Sequence, residues 1–147
     1  MPTTLPPAFA QPARARLVAA QGPGGPERAV TVSLRYACAD PLAVHLVFPA
    51  AVTLAGTDVT WEFARTLLDE GLRRPAGAGD VHVWPWDGAR TVIELHAPEG
   101  MAVVHFDTST LHRFLRRTYA LVAAGAEDVT GGVDRALAAL LGHPGGP

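Results

Sequence analysis

Apolar residues recur at every second position along most of this chain, a period that calls for β-strands and argues against a helical bundle. Over residues 28–36, Val30, Val32, Leu34 and Tyr36 fall on one face. Residues 42–48 form a second apolar run rich in β-branched and aromatic side chains. Val59, Trp61 and Phe63 alternate with Thr60, Glu62 and Ala64, and Val81, Val83 and Pro85 alternate with His82, Trp84 and Trp86. Residues 91–96 and 101–106 read as return strands, and residues 14–20 alternate more weakly. Seven strands result. Turn chemistry separates them at Asp40-Pro41, Gly56-Thr57-Asp58, Asp87-Gly88 and Ala97-Pro98-Glu99-Gly100. Residues 75–79, Pro-Ala-Gly-Ala-Gly, read as a small flexible loop.

The period changes twice. Residues 65–70 continue the fourth strand into a short helix, with Gly71 placed to end it in a left-handed conformation. After the last strand, Asp107, Thr108 or Ser109 can cap a helix on which Leu111, Phe114, Leu115 and Thr118 recur at helical spacing. A final helix is expected over residues 132–141, with Val133, Leu137, Leu140 and Leu141 on one stripe and Gly142 and Pro144 as its stop. Strands in a run followed by helices predict an α+β layout. With 147 residues there is room for one domain. We place it at residues 12–142, after a flexible N-terminal arm over 1–11 broken by Pro2, Pro6 and Pro7, and before a disordered tail over 143–147.

Composition narrows the function classes. Hydrophobic residues make up 48% and charged residues 18%, as in globular chains. The net charge of −2 speaks against a protein that lives by neutralising phosphates, so nucleic acid is not the expected partner. Every Lys/Arg position is arginine; lysine and asparagine are absent and Ile93 is the lone isoleucine, a pattern of GC-rich coding. Cys38 is the single cysteine, which excludes an intrachain disulfide and a thiolate metal cage and fits a reduced, cytoplasmic setting. There is no apolar run of membrane-spanning length, about 18 residues.

The templates of catalysis go unmet. Six histidines are scattered, and the nearest pair, His105 and His112, straddles a strand-to-helix boundary; no metal ligands are assigned. His45 shares a strand face with Ala43 and Val47 and reads as a satisfied core histidine. Neither Ser33 nor Ser109 sits in a nucleophile elbow, and Cys38, although near Arg35, reads as a small residue beside a turn. Glu62, Asp69 and Glu70 fit a solvated helix surface. A phosphate loop needs a lysine this chain lacks. No catalytic residue and no cofactor are expected.

Surfaces carry more promise. Arg113, Arg116 and Arg117 lie at i, i+3 and i+4, away from Leu111, Phe114 and Leu115. They form either a solvated helix face or a docking surface for an acidic protein segment. Arg73 and Arg74 are a second such patch, or else partners of Asp69 and Glu70. Trp84 and Trp86 point opposite Val81 and Val83; if the valines face the core, the tryptophans are exposed or anchor a subunit interface. A sheet buried on both faces is the competing reading.

Several segments in order resemble one family. Arg35-Tyr36, Asp40-Pro41 and Ala43-Val44-His45 resemble the RY…ADPYAVH segment of SsgA-like proteins of actinomycetes. Trp61 through Leu72 resembles their W-x-FAR-x-LL-x-EGL run, and Arg74-Pro75, Gly77, Gly79-Asp80-Val81 and Val83-Trp84-Pro85 resemble the block that follows it. Pro98-Glu99-Gly100 and Phe114-Leu115-Arg116-Arg117-Thr118 are similar to a later SPEG…FL-x-RT pattern. Leu42 stands where an aromatic is common, and Cys38 where a small polar residue is common. The resemblance implies a β-barrel-like, whirly-like sheet with helices whose subunits can form trimers. It implies a non-enzymatic adaptor in sporulation-specific cell division, located at septa through partners such as FtsZ or SsgA-like paralogues, with a role in placing the FtsZ ring and in peptidoglycan remodelling. The alternative that the same fold resemblance raises is a single-stranded nucleic-acid-binding module using Trp84, Trp86 and the arginines.

Overall fold

The structure, a computed structural model, describes residues 7–19 and 27–127. Eight strands and two helices follow one another as β1 (Ala8–Ala19), β2 (Arg28–Ala37), β3 (Ala43–Phe48), β4 (Val59–Ala64), α1 (Arg65–Gly71), β5 (Ala76–Ala78), β6 (Val81–Pro85), β7 (Arg90–Ala97), β8 (Gly100–Asp107) and α2 (Thr108–Leu121). The strands make a single antiparallel sheet in the order β4-β3-β2-β1-β8-β7-β6-β5. Helix α1 leaves β4 at one edge and packs on β5 and β6 at the other, so the sheet curls into a half-barrel around it. The α+β expectation holds, with one strand more than the alternation predicts.

That extra strand is β5, inside the segment read as a flexible loop. Gly77 lies opposite His82, and a β-carbon at Gly77 would run into the His82 ring. Glycine here permits close pairing rather than mobility. Strand β1 also begins earlier than the expected arm allows, since Ala8–Gln11 pair with β2. Strand β8 joins β1 only from Ala15 onward, so Pro12 sits on a stretch with a free edge, where a missing N–H is tolerated.

The inward faces follow the alternation. Val30, Val32, Leu34 and Tyr36 are all buried, as are Val81 and Val83, and the helices cover them with Leu67, Leu68, Leu111, Phe114 and Leu115. Fully burying each such side chain contributes roughly 1.5–3 kcal/mol. The Asp87-Gly88 turn forms as expected: Asp87 Oδ1 accepts from the backbone N–H of Ala89 at 2.7 Å and of Arg90 at 2.9 Å, which holds the carboxyl below its ordinary range.

Two helix-end expectations change. Gly71 is the last residue of α1, buried and without a positive φ, and the cap is Leu72. A β-carbon at Gly71 would strike the side chain of Val83, so this glycine lets helix and strand touch. Asp107 occupies the N-cap of α2 but makes no side-chain cap bond. The Thr108 hydroxyl instead shares a 2.8 Å hydrogen bond with that of Thr91, and Thr108 N–H donates to the Ala89 carbonyl at 2.9 Å. The helix expected over 132–141 and the tail over 143–147 lie outside the described residues.

Candidate functional site

Helix α2 carries the arginine stripe. Its buried face is Leu111, Phe114, Leu115 and Thr118, which leaves Arg113 and Arg116 exposed on the opposite side. No acidic residue occurs between Thr108 and Leu121. Among the described residues, no carboxylate lies within 4.0 Å of either guanidinium. Arg117 is different: its guanidinium lies 4.0 Å from the Phe9 ring centroid, and Nη1 donates to Gln11 Oε1 at 3.1 Å. It fastens α2 to β1, helped by Gln11 Nε2 donating to the Thr110 carbonyl at 3.2 Å.

Arg73 and Arg74 stand at the end of α1, each one turn after a carboxylate. Arg73 lies 3.8 Å from Asp69 and Arg74 lies 4.0 Å from Glu70, long exposed pairs in which the positive charge is locally matched. Asp69 is more than a solvated helix residue, for it accepts a 2.6 Å hydrogen bond from the Tyr119 hydroxyl. Burial and that bond push the Tyr119 phenol up to about 12.

Since Val81 and Val83 face the core, Trp84 and Trp86 lie on the outer side of the sheet. Trp84 is half-buried, and Trp86 is 60% exposed, its ring 5.1 Å from that of His105. Val92 lies between Trp84 and His105 by strand register and is fully buried, although it too points outward. A small apolar cluster therefore sits on the outer face, with Trp86 at its rim.

The most tightly held charge went unassigned in the sequence. Arg65 is fully buried at the head of α1. Its Nη1 donates to the Val122 carbonyl at 2.7 Å and to Thr118 Oγ1 at 3.4 Å, and Nη2 meets Glu127 Oε2 at 2.6 Å. The rings of Tyr119 and Tyr36 lie 4.3 and 5.3 Å from the guanidinium carbon. The bond from Arg65 holds the Glu127 carboxyl below its ordinary range. Desolvation raises the Tyr36 phenol, whose hydroxyl donates to the Pro41 carbonyl at 3.0 Å. The sequence did carry a signal: Arg65 continues the parity of Trp61 and Phe63, which places an arginine on the core face.

The histidines form no spaced motif, yet His45 is not a core residue. Its face is the outer one, where Nε2 lies 2.8 Å from Glu62 Oε1 on the neighbouring strand and 3.9 Å from Asp40 Oδ2. Among the described residues, these three are the groups whose ligand atoms come close enough to share a cation. A cross-strand hydrogen bond accounts for the pair without one. Burial and the nearby Arg90 charge hold His105 below the ordinary imidazole value. No described helix is long and apolar enough to cross a membrane.

Comparison with known proteins agrees with this architecture. The profile described as Streptomyces sporulation and cell division protein, SsgA, matches residues 30–127. The sporulation-specific cell division protein SsgB of Salinispora tropica is 48% identical over 130 residues, covering 84% of this chain and 88% of the relative. That of Streptomyces coelicolor is 45% identical over 115 residues, covering 76% and 82%. A crystal structure of an SsgA-like sporulation-specific cell division protein from Thermobifida fusca superposes with TM-score 0.76 at 30% identity, covering 95% of this chain and 99% of that one. A second solved chain, from work correlating mutations in SsgB with longitudinal cell division during sporulation of Streptomyces coelicolor, gives TM-score 0.73 at 40% identity, covering 86% and 97%. With the half-barrel and its two packed helices in place, these matches show that the chain belongs to the SsgA family of sporulation and cell division proteins.

Proposed function

We propose that this protein is a non-enzymatic adaptor of sporulation-specific cell division, acting at septa through protein contacts. The observation that carries the reading is the outer face of α2, where Arg113 and Arg116 stand exposed with no carboxylate on the helix. Arginine forks onto carboxylates and suits contact surfaces, so an acidic segment of the division machinery is the fitting occupant. FtsZ or an SsgA-like paralogue is the proposed partner. Arg73, Arg74 and Arg117 are weaker contributors, because each is already engaged within the chain. The Trp84 and Trp86 surface is proposed for self-association into a homo-oligomer such as a trimer: an exposed tryptophan on the outer sheet face suits an interface anchor.

Both surfaces are open to one set of measurements. Arg113→Glu with Arg116→Glu should abolish capture of purified FtsZ or of a paralogue while the circular dichroism spectrum stays unchanged. Capture at the wild-type level removes the stripe from the reading. Trp86→Ala should lower the mass seen by sedimentation equilibrium; an unchanged oligomer takes the tryptophan face out of self-association.

A further inference from the structure

A cleft of about 340 Å³ opens where β1 and β8 part company. Their first register pair is Ala15 with Phe106, and beyond it Arg14 and Asp107 diverge as β8 turns into α2. Three guanidinium groups line it, Arg14 and Arg16 from β1 and Arg90 from the start of β7, with Asp107 in the wall and the carboxylates of Glu27 and Asp87 close enough to act on His105. Arg16 reaches Glu27 only at 3.9 Å, and among the described residues neither Arg14 nor Arg90 has a carboxylate within 4.0 Å. His105 also lines the cleft, and its Nδ1 is buried without a hydrogen-bond partner among the described residues. The Trp86 ring lies 5.1 Å from that imidazole, tilted by 56°, with more than half its surface open to solvent.

We propose that this cleft binds a nucleotide, with its phosphate among Arg14, Arg16 and Arg90 and its base against Trp86. The volume falls at the low end of small-molecule sites, about 300–1,000 Å³. A carboxylate is satisfied by one bidentate arginine, whereas the non-bridging oxygens of a phosphate, monoester or diester, can engage more than one guanidinium group at once. Trp86 stands beside His105 of the cleft wall, and an aromatic ring there adds stacking that a phosphate alone cannot use and a base can. The phosphate can come from a free mononucleotide or from one residue of a single strand, and the chemistry of recognition is shared. The phosphate part of the site lies on β1, β7 and β8, apart from the α2 stripe, so its fate is independent of that surface; Trp86 is shared with the proposed self-association surface, and the Arg14 and Arg90 variants test the cleft without it.

Calorimetric titration with adenosine monophosphate, a twelve-residue oligothymidylate and inorganic phosphate tests this on the intact chain. Nucleotide or oligonucleotide should bind, and Arg14→Ala or Arg90→Ala should weaken either by about tenfold or more, the loss of one charge-assisted bond. Trp86→Ala should weaken the base-bearing ligands and leave inorganic phosphate unmoved. Thermal melting of each variant verifies its fold; Arg14 is exposed and Arg90 half-buried. Tighter oligonucleotide binding with a steep salt slope supports a single-strand source; equal affinities support a free nucleotide. No heat from either nucleotide probe at millimolar concentration overturns the proposal. Affinities untouched by Arg14→Ala and Arg90→Ala, or phosphate binding alone, also overturn it.

Discussion

Arg65 and Arg113 bear the same guanidinium, one sealed in the interior and one held out in water. Arg65 sits between two tyrosine rings and donates to a carboxylate and a carbonyl, while Arg113 has no carboxylate within reach among the described residues. Burial forces the first charge to be paired, because an unpaired interior charge is prohibitively costly, although its Nε finds no partner among the described residues. Nothing forces the second. An arginine whose partners are internal is explained by the fold; one that the fold does not use is free to serve another molecule. By this criterion Arg65 is architectural and Arg113 is a candidate for recognition.

The largest break of this contrast is Arg65→Ala. It would strand the Glu127 carboxylate and open space between Tyr36 and Tyr119, at a cost of about 3–5 kcal/mol. Urea denaturation followed by circular dichroism reads it. Arg65→Lys keeps the charge but loses the planar fork and the stacking, so it should recover only part of the loss. A change below about 1 kcal/mol in Arg65→Ala would mean that the ring-and-carboxylate cage does not hold α1 to the end of α2.

Arg65 also marks how far the sequence could be read. Strand faces were legible because a curled sheet buries one side, and Val30 through Tyr36 obey that single constraint. The Asp87-Gly88 turn was legible because its hydrogen bonds are local. Features that depend on distant contacts were not. Gly71 resembles a helix terminator but is small because Val83 crosses it. The brief strand β5 looks like a loop because its glycine admits His82, which lies beyond the turn. His45 stands on a face whose outward direction only the sheet decides, and its partner Glu62 arrives through strand register. The α2 stripe and the tryptophan face were visible as patterns, but which arginines remain free depended on Gln11 and Phe9, about a hundred residues from Arg117. The three arginines of the β1–β8 cleft come from two distant strands, and no local motif joins them.

A smaller effect should follow Glu127→Gln. The side chain keeps its shape but loses the charge facing Arg65, and a hydrogen bond to a charged group contributes about 1.5–3 kcal/mol. The pH dependence has a definite sign. Because the folded carboxyl titrates below its ordinary value of 4.5, its contribution is full above that value and fades as the pH falls through the folded pKa. Stability of the wild type minus that of Glu127→Gln should therefore be constant near neutrality and shrink in acid. A difference that grows on acidification would contradict the ion pair.

Arg117 lies between the two extremes and sharpens the comparison most finely. It is exposed like Arg113 yet touches the fold like Arg65, through the Phe9 ring and Gln11 Oε1. A cation over an exposed ring and one solvated hydrogen bond together contribute about 1 kcal/mol. Arg113→Ala and Arg116→Ala should each stay within about 0.5 kcal/mol, as surface changes without partners do. Chemical denaturation of the three variants side by side should set Arg117→Ala apart. If all three coincide, contact with Phe9 does not restrain Arg117, and it joins Arg113 and Arg116 as a third free cation on the docking face.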